Sequence, residues 1–135
     1  MRRSLGNTWI GARMTPQGTV LSGTFSGEIL EHSADSDARF GVYRGLTDTA
    51  HGSALSDDGT LLAAVGNDRR LHVFDRDSRE QLISILGHPP GRLVNFVAFT
   101  PDASQVVTLD VAGGLAIWDT RGIRSTPGAL QLMDQ

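Results

Sequence analysis

Five residues, LHVFD at 71–75, return as LAIWD at 115–119, 44 positions later. Each puts an apolar residue at its first, third and fourth places and ends in aromatic-Asp. The same shift carries Ser56-Asp57-Asp58-Gly59 onto Thr100-Pro101-Asp102-Ala103, and Leu61-Leu62-Ala63-Ala64 onto Gln105-Val106-Val107-Thr108. Ala54-Leu55 falls likewise on Ala98-Phe99. Blocks that agree on one ungapped offset mark a structural repeat, whose units each bury a face against the next copy. A weaker copy lies upstream: Thr15-Pro16-Gln17-Gly18-Thr19 parallels Ser56 to Thr60 at an offset of 41. Gly27-Glu28-Ile29-Leu30-Glu31 follows it but lacks the aromatic-Asp ending.

Each unit reads as four short strands. The first unit offers Trp9–Met14, Thr19–Thr24, Glu28–Glu31 and Arg39–Arg44. The second offers His51–Leu55, Leu61–Val65, Leu71–Phe74 and Glu80–Leu86. The third offers Leu93–Phe99, Gln105–Leu109, Leu115–Trp118 and Ala129–Met133. Turn residues separate them: Thr100-Pro101-Asp102-Ala103 joins a preset Pro φ to an Asp able to bond its own backbone, and Asp110 to Gly114 is Gly-rich. The 16 glycines fit many tight turns, and no stretch keeps a helical period.

A period in the low forties, four strands per unit, an S/T-P-D-G-like turn and a closing aromatic-Asp resemble WD repeats, the blades of a β-propeller. The resemblance spans about Trp9 to Met133 and is strongest over 51–119. It implies an all-β fold: a partial propeller of about three four-stranded antiparallel sheets. The whole chain, 1–135, is one WD-repeat-like region, with blades at approximately 8–44, 50–87 and 88–134. The resemblance also implies a buried polar network in each blade, linking a Gly-His pair, a Ser or Thr, an Asp and a Trp. The third unit matches with Gly87-His88, Thr108 and Trp118-Asp119, but Ala112 stands where the Asp belongs and Asp110 comes two places early. The second unit has Asp68 and Phe74-Asp75, with Ala64 in place of the hydroxyl residue. The first has almost none of the set. The blades are thus expected to be degenerate and held mainly by apolar packing.

Composition removes several chemistries. All 12 basic residues are Arg, so there is no P-loop, Schiff-base or Ser-Lys lysine. Without cysteine there is no disulfide, thiolate nucleophile or Cys-ligated zinc. Net charge is −3 with no basic block, which gives nucleic acid no footprint. No apolar run is long enough to span a membrane, so a cytoplasmic setting is the default expectation. His32, His51, His72 and His88 show no metal-ligand spacing. His32, Asp35 and Asp37, and likewise Asp75, Asp77 and Ser78, read as solvated turns. His72, alternating with Leu71 and Val73, is expected on a sheet face or edge.

Catalytic, cofactor and metal sites are therefore all expected to be absent, and no cofactor is implied. A propeller hydrolase or lactonase with a channel metal is the enzymatic alternative. The innermost strands offer it only Arg13, His51, Ser53 and Asn95, with no carboxylate among them. The leading expectation is a non-catalytic protein-interaction scaffold, with a vestigial structural fragment as the third reading. Its recognition loops would carry Asp57, Asp58, Asn67, Arg69, Arg70 and Asp102. Three blades leave two sheet faces bare, so the chain is expected either to complete a ring with a second copy or to form part of a longer propeller. WD repeats of that kind occur in bacterial regulatory and signalling proteins.

Overall fold

The computed structural model describes residues 9–35, 39–123 and 131–132. The strands are β1 (Trp9–Met14), β2 (Thr19–Thr24), β3 (Glu28–Ser33), β4 (Arg39–Arg44), β5 (Ala50–Leu55) and β6 (Leu61–Gly66). They continue with β7 (Arg70–Asp75), β8 (Gln81–Leu86), β9 (Val94–Phe99), β10 (Gln105–Asp110), β11 (Leu115–Asp119) and β12 (Gln131–Leu132). They form three separate four-stranded antiparallel meanders, β1–β4, β5–β8 and β9–β12. Each meander is a propeller blade. The repeat arises because strands 44 residues apart fill the same place in successive sheets: Leu62 pairs with Phe74, and Val106 pairs with Trp118.

Alternation along the strands sorts the core into two interfaces. Leu61, Ala63, Val65, Leu71 and Val73 face blade 3, where they meet Val94, Val97, Val106, Ala116 and Trp118. The opposite parity, Leu62, Ala64 and Phe74, faces blade 1 and packs with Leu21, Ile29, Tyr43 and Leu46. β6 is consequently buried along its whole length, as a strand sandwiched between two neighbours must be. Each fully buried Leu or Val contributes roughly 1.5–3 kcal/mol relative to exposure.

The strand-one to strand-two turns of blades 2 and 3 repeat the same bonds, and that of blade 1 is a one-residue-shorter version of them. The hydroxyls of Thr15, Ser56 and Thr100 accept the N–H of Thr19, Leu61 and Gln105 at 3.2, 3.0 and 3.1 Å. Asp58 and Asp102 then accept the N–H of Thr60 and Ser104, each at 3.0 Å. The left-handed place in these turns belongs to Gly18, Gly59 and Ala103, with φ of 81°, 74° and 60°.

β1, β5 and β9 are each the first strand of their sheet and converge, as innermost strands should. Each carries a bulge, with Gly11, His51 and Asn95 as the extra residues. Asp37 of the HSADSD segment and most of the expected fourth strand at 129–133 lie outside the described residues.

Candidate interaction site and the blade motif

Blade 3 contains a buried relay of four side chains. Trp118 Nε1–H donates to Thr108 Oγ1 at 3.1 Å, and His88 Nε2 lies 2.8 Å from that same oxygen. His88 Nδ1 lies 3.0 Å from Asp110 Oδ2. The Asp110 carboxylate can only accept, so His88 donates its Nδ1–H to it; in the neutral imidazole Nε2 is then the acceptor of the Thr108 hydroxyl proton, while Thr108 Oγ1 accepts the indole N–H. Asp110 Oδ1 also accepts the N–H of Ala112 and of Gly114, at 2.9 and 2.8 Å. Asp110 therefore substitutes for the carboxylate missing at Ala112. The His88 hydrogen bond, followed by the Gly114 N–H, holds its carboxyl below the usual range. Gly87 is required next to it, because a Cβ there would overlap the Trp118 ring.

Blade 2 solves the same problem with other residues. Asp68 Oδ2 lies 2.8 Å from His72 Nε2, and His72 Nδ1 lies 2.7 Å from Gln81 Oε1. Asp68 also accepts the N–H of Arg70 and of Thr47. Burial pushes its carboxyl up, but the His72 contact and these N–H groups outweigh that and lower it. His72 thus lies inside a polar network, 1% exposed, and not at an edge. Its ring stacks on Phe74, and Phe74 meets Tyr43 edge-on at 5.6 Å.

Blade 1, which carries almost none of the motif, has a network of its own. Glu31 is fully buried and accepts from Thr19 Oγ1 at 2.6 Å, Tyr43 Oη at 2.7 Å and Arg76 Nη2 at 3.0 Å. Burial pushes the Glu31 carboxyl up, and these three donors more than reverse it. Burial and the adjacent Glu31 raise the Tyr43 phenol. Arg76 belongs to the β7–β8 turn of blade 2, so this ion pair fastens one blade to the next. Beside the apolar packing that the sequence leads one to expect, every blade encloses a network of hydrogen-bonded polar groups. Nothing in the Gly27–Glu31 segment signals the role of Glu31, because its partners arrive from β2, β4 and another blade.

The candidate loop residues divide between two opposite ends. In an antiparallel meander the first and third turns share one end, and the second turn and the link to the next blade share the other. Asp57, Asp58 and Asp102 are therefore at the first end, together with the Asp75 and Asp119 turns. At that end Asp119 is bound by Arg121, which lowers its carboxyl to about 2. Asp75 accepts the N–H of Ser78. Ser104 holds the Asp102 carboxyl below its usual range. Asn67, Arg69 and Arg70 are at the second end and are partly engaged: Asn67 Oδ1 with His51 Nε2, Arg69 with the His88 carbonyl, Arg70 with Ser84. The second end also carries Phe25, Leu86 and Val111, which are 62%, 50% and 55% exposed.

Arg13, His51, Ser53 and Asn95 come together around one cavity of about 160 Å³ on the axial side of β1, β5 and β9. Among the described residues no group of three or more His, Asp or Glu side chains is placed to hold a metal ion.

No established family profile matches the chain. It is 30% identical over 105 residues to the serine-threonine kinase receptor-associated protein of Rattus norvegicus, and 28% identical to that of Gallus gallus. Both matches cover 78% of this chain and 29% of the relative, so the chain spans under a third of their length. The solved RRP9 WD40 repeats superpose with a TM-score of 0.78 at 17% identity, covering 98% of this chain and 39% of that one. The U3-55K structure gives 0.77 over 98% and 41%. The ungapped repeat, the separate meanders and the His88–Asp110–Thr108–Trp118 relay agree with these likenesses: the chain has the WD40-repeat propeller fold, as three four-stranded blades of a partial propeller.

Proposed function

We propose that the chain is a non-catalytic scaffold that binds another protein through the end of the arc carrying the β2–β3, β6–β7 and β10–β11 turns. The observation that carries this is that Phe25, Leu86 and Val111 are exposed together at that end, whereas Met14 is the single comparable exposed side chain at the opposite end among the described residues. Large apolar side chains left in water on the rigid tips of a blade array are the ordinary mark of an association surface. Arg69 and Arg92 at the same end add cationic rim. The opposite end is mainly acidic turns whose side chains are spent on their own backbone, so it has less to offer a partner. WD40 relatives are typically without chemistry of their own, and one matched relative is named for association with a receptor kinase. The vertebrate origin of these relatives lends no support to a bacterial regulatory setting.

The test uses Phe25→Asp with Val111→Asp. Both positions are exposed, so far-UV circular dichroism should stay as in the parent. Proteins captured by the parent from native extract should be lost with the double variant and kept with Asp57→Ala plus Asp102→Ala. Retention by the first variant and loss by the second would reverse the assignment of faces.

A further inference from the structure

We propose that the axial cavity is a carboxylate-binding site, in which the Arg13 guanidinium takes the anion and the Ser53 hydroxyl and Asn95 amide complete its hydrogen bonding. This goes beyond the scaffold reading, which concerns one end of the arc.

Three observations converge on it. First, Arg13 is the one side chain of permanent charge lining the cavity, and no carboxylate lines it. Its Nη1 reaches the Ser53 and Val97 carbonyls, both at the long distance of 3.4 Å. Arg13 is exposed, and two long contacts to neutral oxygens leave most of its donor fork open to a ligand. Second, the bulges of β5 and β9 place His51 and Asn95, 44 residues apart in sequence, at the same position of successive inner strands. A bulge re-aims its extra residue out of the regular pleat, and both of these line the cavity. Third, Ser53 and Asn95 make no side-chain hydrogen bond among the described residues, whereas His51 is held by Asn67. Polar groups are thus waiting beside walls formed by Leu21 and Ile29. That is the usual make-up of a ligand pocket: apolar lining with few convergent polar groups.

The charge count selects the ligand. One guanidinium matches one carboxylate, and its planar fork fits both oxygens at once. A phosphate dianion would call for a second fixed cation, which the cavity lacks. The carboxylate can belong to a free small acid or to an acidic side chain of a bound protein.

The experiment titrates the ¹⁵N-labelled full chain, at constant ionic strength, with succinate, N-acetylglutamate amide and N-acetylglutamine amide. Saturable amide shifts confined to β1, β5 and β9 are expected with succinate or the glutamate amide, with dissociation constants of roughly 1–10 mM. The glutamine amide should be silent. Asn95→Asp, at an exposed position, sets a competing carboxylate beside Arg13 and should weaken binding at least about tenfold without unfolding the chain. Arg13→Gln should do the same. Binding of succinate alone assigns the site to free acids, and preference for the glutamate amide assigns it to acidic protein segments. Absence of saturable shifts, equal binding of the glutamine amide, equal displacement by chloride, or unchanged affinity in folded Asn95→Asp overturns the proposal.

Discussion

Thr108 receives the indole N–H of Trp118 and gives its own proton to His88, so its removal strands two buried groups at once. Thr108→Ala is expected to cost about 1–3 kcal/mol, read from the shift in the urea midpoint, whereas Thr108→Ser should largely keep the relay. The carboxylates make a second prediction at this scale. Glu31, Asp68 and Asp110 all have folded-state values below their ordinary ones. Their contribution is therefore complete above about pH 5 and drains away as pH falls through about 4 toward the depressed values. Urea midpoints should be level from pH 7 to pH 5 and drop steeply by pH 3. Glu31→Gln should be less stable at pH 7 and lose less of its stability on acidification. His88, Thr108 and Trp118 were legible in sequence because they are spaced like a known motif. Asp110 was legible only as a displaced candidate, since substitution two places away depends on how the turn folds over its oxygen. Glu31 and His72 were illegible as network members because spacing along one strand says nothing of donors approaching from another sheet.

Strands and turns were the most readable level. Alternating apolar runs bounded by Asp, Gly and Pro placed most strand ends to within a residue of those observed, since local turn chemistry sets them. The bulges were not readable: they come from how the inner strands meet around the axis, and His51 and Asn95 look like ordinary strand residues in sequence. At the turn between β9 and β10, Ala103 takes a left-handed φ of 60°, where the equivalent residue of blade 2 is Gly59. Ala103→Gly should relieve that strain and raise the melting temperature by a few degrees, a gain of up to about 1 kcal/mol. Gly87→Ala should do the reverse, because the new methyl must displace the Trp118 ring. Near-ultraviolet circular dichroism of the indole would report that displacement directly.

At the scale of the molecule, the face of blade 3 turned away from blade 2 carries Leu109 and Ile117, with Phe96 and Leu115 39% and 41% exposed. Sheet faces of this kind are buried elsewhere in the chain by the adjoining blade. Light scattering at micromolar concentration is expected to give a mass above the 14.4 kDa of one chain. Ile117→Glu with Leu115→Glu should return it to that mass, and a parent that is already monomeric would show that the face tolerates water. The number of blades was legible from the repeat, but what covers this face was not, because a repeat describes neighbours and not closure. The Glu31–Arg76 pair adds a directionality. Truncation from the amino-terminal side uncovers Leu62, Ala64 and Phe74 and in addition orphans a guanidinium that is only 18% exposed. Truncation from the carboxy-terminal side uncovers the aliphatic surface formed by Leu61, Leu71 and Val73 and leaves that pair intact. Shortened versions of this array should therefore survive erosion from one terminus better than from the other.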